Sequence, residues 1–180
     1  MAYINIQTLE YPLYEGDIKL AFPNTSFPVI FTPPDGYATV VDVPVPSYDW
    51  VTQGLREVTP VEVNGVWTQT WEVYALSEAE VIANTAIYRE RLYNSIVNST
   101  QKRLDDFAKT RQYDGILSAC TYATDSNPRF QSDGQYCVQQ RSATWAKLIE
   151  MLAEVDAGTR PVPTSYADVE PELPPLVWPN

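Results

Sequence analysis

The amino-acid sequence predicts an α+β protein in which an extended, β-rich arm precedes a helical domain and a proline-rich tail. The distribution of proline carries much of this prediction. Eight of the 15 prolines lie in residues 1–76 and six in residues 159–180, while residues 77–158 contain one, Pro128. Because proline interrupts helices and central strands, we expect an extended arm with hairpins (1–76), a helical hairpin or small bundle (77–158) and an extended tail (159–180).

The arm is predicted to hold short strands and one well-defined hairpin. Alternating apolar residues indicate an extended segment at Ile18 to Phe22, and Phe27 to Phe31 could form another short strand. Tyr37 to Val43 is predicted to be a strand because it is rich in β-branched residues. The pair Asn64-Gly65 tolerates the positive φ angles of a type I′ turn, so it predicts a hairpin whose second strand runs to Tyr74. A lone hairpin is marginally stable in water, and we expect it to pack on the helices or to pair with another chain.

A long helix is predicted to follow the arm. Ser77 and Glu80 have the spacing of a capping box, which marks a helix start. The helix is expected to run to about Lys109 or Thr110, because an apolar stripe continues that far at helical spacing. The stripe consists of Val81, Tyr88, Leu92, Ile96, Leu104 and Phe107. A narrow stripe on so long a helix is typical of a coiled coil or of a helix that spans subunits.

Two further helices complete the predicted helical domain. Asp114 is expected to cap a short helix from Gly115 to about Tyr122. Ser132 or Asp133 is expected to start the last helix, which would end at Ala157 before Gly158. Its apolar residues include Val138, Trp145, Leu148, Ile149, Leu152 and Val155. The tail beyond it should be extended, with polyproline character near its end.

The residue inventory disfavours several classes of function. Histidine is absent, which removes the commonest general base and metal ligand, and two cysteines alone cannot form a tetrahedral zinc site. No basic patch could neutralise a run of phosphates. No stretch has the length and apolarity of a membrane span, and the N-terminus lacks the features of a signal peptide. We therefore expect no catalytic residues, cofactor or metal, no nucleic-acid partner and no membrane insertion.

The charge and the aromatic residues of the arms point to protein partners. The net charge is −11, and residues 1–76 hold nine acidic residues against two basic ones. Such an acidic arm suits a basic protein groove, or keeps a structural protein soluble. Proline-rich arms bury no core of their own, so they are expected to lie on a partner. The candidate anchors are Tyr11, Tyr14, Phe27, Trp50 and Trp178.

Cys120 and Cys137 admit two interpretations. They lie near the facing ends of two predicted helices and could form a disulfide, within the chain or between subunits, after assembly. A reducing cytoplasm argues against a bridge before that stage. The other interpretation is a pair of small, buried thiols.

Three parts of the sequence resemble the small tail-associated proteins of tailed bacteriophages, of the tail-fibre assembly or tail-fibre-like kind. The first is residues 11–18 (YPLYEGDI) with 22–28 (FPNTSFP), and the second is residues 60–73 (PVEVNGVWTQTWEV) with 76–80 (LSEAE). The third comprises residues 103–108 (RLDDFA), 113–118 (YDGILS), Trp145-Ala146 and 172–179 (ELPPLVWP). The resemblance covers nearly the whole chain.

The resemblance implies a non-enzymatic protein of the virion tail, assembled in the host cytoplasm. Its partner would be a tail-fibre or baseplate protein, in a homo- or hetero-oligomer, and its role that of a structural adaptor or an assembly chaperone. The family has no catalytic residues to carry over. An alternative from another class is a receptor-binding module whose exposed Trp and Tyr residues stack on host-surface glycans. A glycosidase is disfavoured, because no suitable pair of carboxylates is visible.

Overall fold

The computed structural model describes residues 1–179; Asn180, the last residue of the predicted tail, lies outside the described residues. The protein is mixed α+β, as the sequence predicts. The chain forms two compact units, residues 1–85 and residues 86 onward. The division therefore falls inside the first long helix, whereas the proline distribution predicts boundaries at positions 76 and 158.

A two-stranded antiparallel sheet begins the N-terminal unit. Its strands are β1 (Ala2–Asn5) and β2 (Tyr37–Val40), and Tyr3 of β1 pairs with Thr39. Tyr3 also exchanges two backbone hydrogen bonds with Leu13, at 2.8 and 3.0 Å. These bonds fold the chain after β1 back along its second edge.

A short helix, α1 (Glu15–Ala21), occupies the segment where the sequence predicts a strand. The prediction from the alternation of Ile18, Leu20 and Phe22 is therefore wrong. Ile18 is 1% exposed but Leu20 is 81% exposed, so the alternating residues do not share one buried face.

Local polar contacts explain why this segment is helical. The carboxylate of Asp17 accepts a hydrogen bond from the N–H of Tyr14 at 2.7 Å, which satisfies a backbone donor at the helix start. Lys19 pairs with Glu15 one turn earlier, at 2.5 Å. Contacts of this kind stabilise a helix but not a strand.

The predicted hairpin is confirmed. Its strands are β3 (Gln53–Val63) and β4 (Val66–Ala75), which pair in antiparallel fashion. The turn residues Asn64 and Gly65 have φ angles of 52° and 80°, the positive values that a type I′ turn requires at both positions.

The two edges of the hairpin differ. On the β4 edge, Val41 bonds to the carbonyl of Trp67 and to the N–H of Gln69, both at 2.9 Å. On the β3 edge no further strand is paired among residues 1–179. The β3–β4 register shifts between Val58 and Val61, next to Pro60, which has no N–H to donate.

The second unit is helical. It contains most of α2 (Glu78–Lys109), followed by α3 (Ile116–Cys120) and α4 (Pro128–Asp156). One buried cluster joins α2, α4 and the tail, and consists of Ile96, Leu148, Met151, Val169 and Leu173. A second joins α2, α3 and α4, and consists of Leu104, Ala108, Ile116, Ala119 and Cys137.

The predicted capping box at the start of α2 is confirmed. The N–H of Ser77 donates to the Glu80 carboxylate at 2.9 Å, and the N–H of Glu80 donates to the Ser77 hydroxyl at 3.4 Å. The hydrogen bonds from Ser77 hold the pKa of Glu80 below its usual value.

The predicted cap of α3 is wrong. Asp114 does not cap the helix; the carboxylate of Asp105, on α2, instead accepts the N–H of Ile116 at 2.8 Å. A carboxylate distant in sequence thus satisfies the first donor of α3, which local sequence patterns cannot reveal.

The predicted start of α4 is also wrong. The helix begins at Pro128, four residues before Ser132, because the Asn127 side chain caps it by accepting the N–H of Arg129 at 3.0 Å. Proline is well suited to the first helical position, since its missing N–H is unsatisfied there in any case. The end near Gly158 is confirmed, with φ of 72° at that glycine.

The tail does not extend away from the protein. It forms two short 3₁₀ turns, Tyr166–Asp168 and Glu170–Glu172, and buries Val169 and Leu173 to 3% and 5% exposure. The expectation that the tail needs a partner to lie on is corrected: its own helical unit supplies that surface. Within residues 1–179 no helix is both long and apolar enough to span a membrane.

Candidate partner-binding surfaces

The N-terminal unit buries little apolar surface. Besides Pro60, its buried apolar side chains are Tyr3, Ile4, Ile18 and Val40. Its two sheets have two strands each. Sheets of this size are marginal in water unless they are packed on something, so this unit has surface left to cover.

The most exposed apolar side chains of the protein lie between α1 and β2. Val29 is 106% exposed and Ile30 is 85% exposed, and Pro28 precedes them. Residues 27–31 are not a strand, which corrects the prediction for this segment. Residues 20–34 carry no charge, although residues 1–76 as a whole are acidic.

Aromatic contacts hold the base of this segment. The rings of Phe27 and Phe31 lie 5.3 Å apart, and Phe31 also meets the edge of Tyr3 at 5.3 Å. The Lys19 ammonium lies 6.0 Å from the Phe27 ring centroid. The predicted anchor Phe27 is thus half-buried within its own unit, and the outward-facing side chains are its neighbours Val29 and Ile30.

The other predicted anchors of the arm differ in exposure. Tyr14 is 56% exposed at the start of α1. The hydroxyl of Tyr11 donates to the Glu57 carboxylate, and burial, followed by this contact, raises the pKa of Tyr11. Trp50 is half-buried, and its carbonyl accepts a hydrogen bond from Asn84 at 3.0 Å.

Trp178, the last predicted anchor, packs on the helical unit. Its ring stacks on Phe107 with centroids 4.2 Å apart and planes 19° apart. The indole N–H donates to the Thr110 hydroxyl at 2.8 Å, and the Arg111 guanidinium lies 4.7 Å from the ring centroid. Trp178 is therefore an anchor within the chain in this structure.

The tail backbone is bound to the same surface. Arg103 donates to the carbonyl of Pro174 at 2.8 Å, and Arg111 donates to the carbonyl of Pro179 at 3.0 Å. The N–H of Val177 donates to the hydroxyl oxygen of Tyr136 at 2.8 Å. We call this surface the tail groove; it consists of Arg103, Phe107, Thr110, Arg111 and Tyr136.

A buried carboxylate holds Arg111 in place. Asp133, on α4, is 2% exposed and forms an ion pair with Arg111. It also accepts a hydrogen bond from the Tyr113 hydroxyl at 3.2 Å. Burial, together with the charge of Asp133, raises the pKa of Tyr113 to about 12. The carboxylate thus directs Arg111 towards the tail.

Both cysteines are free thiols in this structure, so no disulfide joins them here. Cys137 is fully buried, and burial together with the neighbouring Cys120 raises its pKa to about 12. Burial also raises the pKa of Cys120. Both groups are protonated at neutral pH, and a thiol in that form is a poor nucleophile.

Within residues 1–179 no group of three or more His, Cys, Asp or Glu side chains could hold a metal ion. The candidate contact surfaces are the exposed segment 27–31, the open edge of β3 and the tail groove. Sequence reasoning missed Arg103, Arg111, Asp133 and Tyr136, because contacts such as that of Arg103 with Pro174 span 71 positions. Comparisons with models of protein families, with curated protein sequences and with solved structures found no match to this chain.

Proposed function

We propose that this chain is a non-enzymatic bacteriophage tail protein that binds a tail-fibre or baseplate protein, as a structural adaptor or an assembly chaperone. The observation that supports this best is the N-terminal unit, which exposes Val29 and Ile30 almost completely and buries few apolar side chains. The sequence motifs described above suggest the identity of the partner.

The exposed segment has the properties of a docking element. Soluble monomers seldom expose large contiguous apolar patches, and such patches mark interaction sites. Burying Val29 and Ile30 in a partner would stabilise a complex by about 1.5–3 kcal/mol for each side chain, before the costs of association.

The open edge of β3 offers a second contact. An unpaired strand edge presents N–H and C=O groups to any extended segment, and strand addition is a common way for proteins to bind such segments. Phage fibre proteins would supply strands for this purpose. The acidity of residues 1–76, with nine acidic and two basic side chains, would favour a basic surface on the partner.

Binding to glycans is less well supported. Sugars stack on exposed indole faces, and all five tryptophan side chains of this chain are half-buried. Neither Trp50 nor Trp178 presents the open platform that a receptor-binding role requires.

Co-purification tests the proposal. The chain, tagged and produced with the fibre and baseplate proteins encoded beside it, should retain one of them on an affinity column. Ile30→Asp should abolish this retention. Leu117→Asp is the matched control, since Leu117 is also exposed, at 59%, but lies in the helical unit. Equal retention by the wild-type chain and both variants, or no retention by the wild-type chain, would refute the proposal.

A further inference from the structure

The chain contains the same four-residue pattern twice. Pro175-Leu176-Val177-Trp178, in the tail, has the order proline, aliphatic, aliphatic, aromatic. Pro28-Val29-Ile30-Phe31 has the same order. No other proline in the 180 residues is followed in this way. One copy of the pattern therefore shows how the other can be bound.

The tail groove selects alternate positions of this pattern. Leu176 packs against the buried cluster beneath the groove, Val177 points outward and is 70% exposed, and Trp178 stacks on Phe107. The first aliphatic residue and the aromatic residue thus make the contacts. The second aliphatic residue faces solvent.

The indole N–H of Trp178 also donates to Thr110, a contact that phenylalanine cannot make. The backbone contacts of the tail do not depend on sequence. Arg103 and Arg111 donate to backbone carbonyls of the tail, which any extended segment can supply. A segment that enters this groove must carry no charge at its inward positions, because an unpaired charge there would lose its water. Residues 27–33 satisfy this condition.

We infer that the tail groove of one copy binds the Pro28–Phe31 segment of a second copy, in place of its own tail. Val29 takes the position of Leu176, Ile30 takes the outward position, and Phe31 exchanges its contact with Tyr3 for the stack on Phe107. Binding in the groove would give Val29, which is fully exposed in this chain, a buried position.

The tail occupies this groove and competes with the segment of the second copy for it. It is tethered to its groove, and a short tether gives an effective concentration of about a millimolar. Its tryptophan also offers a larger ring than Phe31. The groove is therefore closed until the tail is displaced, and self-association follows release of the tail.

Peptide binding tests the site directly. A fluorescently labelled peptide with the sequence of residues 26–33 is titrated with full-length protein and followed by anisotropy. Trp178→Ala should bind it roughly a hundredfold more tightly than the wild-type chain, because the tethered competitor is weakened. Val177→Ala, at the outward position, should bind like the wild type. Equal binding by Trp178→Ala and the wild type would overturn the inference, as would equal binding of a peptide in which alanine replaces Phe31.

Sedimentation tests the second copy as the occupant. Trp178→Ala should form dimers or larger species whose fraction rises with concentration. Adding Val29→Asp should abolish association, whereas adding Ile30→Asp should leave it intact, since that side chain faces outward. A monomeric Trp178→Ala, or equal effects of the two aspartates, would contradict the inference.

Hydrogen exchange of the wild-type chain tests the inference without requiring that Trp178→Ala folds. The N–H of Val177 is bonded to Tyr136 when the tail is docked. A large excess of the residue 26–33 peptide should therefore speed hydrogen exchange at this amide, and the peptide with alanine for Phe31 should not. Unchanged exchange with the first peptide would refute displacement of the tail. These experiments use this chain alone, so their outcome is separate from that of the proposed function.

Discussion

The contact between Asp133 and Arg111 predicts a measurable loss of stability when its charge is removed. Asp133→Asn keeps the shape of the side chain but leaves the guanidinium without its counter-ion. Breaking a buried pair by removing one partner costs about 3–5 kcal/mol, and hydrogen bonds to charged groups contribute about 1.5–3 kcal/mol. Arg111 is 26% exposed and can recover some hydration. We therefore expect the free energy of unfolding to fall by about 2 kcal/mol.

Urea denaturation measures this loss. With a denaturant slope of about 1–3 kcal/mol/M, the midpoint should fall by roughly 1 M. Asp106→Asn is the control, because Asp106 forms its ion pairs at the surface, and its midpoint should stay where it is.

A second readout separates this contact from general destabilisation. The charge of Asp133 contributes to the raised pKa of Tyr113, which is about 12. In Asp133→Asn that pKa should fall, as followed by the ultraviolet absorbance of tyrosinate. Tyr113→Phe lacks this phenol, so the absorbance change that is missing from this variant belongs to Tyr113. An unchanged urea midpoint together with an unchanged Tyr113 pKa would refute the role given to Asp133.

Three further predictions concern the helical unit. Gly134→Ala should destabilise the protein by about 1–3 kcal/mol in a thermal or urea melt, because its new Cβ would lie 2.3 Å from the backbone nitrogen of Ala123. Gly16→Ala is the control and should not destabilise the protein, because a Cβ there meets no atom within 4 Å beyond its chain neighbours and the backbone of its own helix. Leu148→Ala should cost about 2–5 kcal/mol in the same melt, since Leu148 is 1% exposed, and a loss below 1 kcal/mol would contradict its place in the core. Burial raises the pKa of Cys137 from 9.0 to about 12, so its contribution to the free energy of unfolding should be complete below pH 9 and lost as the pH rises to 12. Between pH 9 and 12 the free energy of unfolding should therefore fall less steeply in Cys137→Ala than in the wild type. An equal fall in both proteins would contradict this pKa.

Where local chemistry decides the structure, the sequence predicts it correctly. Asn64-Gly65 determines the turn and Ser77 with Glu80 determines the start of α2, because both act through contacts within three residues. The α1 segment shows the limit of apolar alternation. In α1 the contact of Asp17 with the N–H of Tyr14 and the ion pair of Lys19 with Glu15 favour a helix. The alternating apolar residues share no buried face that would favour a strand.

The cap of α3 and the packing of the tail could not be predicted, because distant residues determine them. Asp105 caps α3 from the neighbouring helix, and Arg103 and Arg111 bind the tail from positions about 70 residues away. The exposed segment of the arm adjoins a predicted anchor but does not centre on it. Aromatic residues of the arm drew attention to Phe27, but exposure shows Val29 and Ile30 as the outward side chains.

Hydrogen exchange in the presence of the fibre or baseplate protein tests the central proposal most directly. Amides of residues 27–31 and of the outer edge of β3 should become protected when the partner is added, while those around Leu117 in the helical unit should not change. Protection confined to the helical unit, or none anywhere with the wild-type partner, would contradict a partner-binding role for the N-terminal unit.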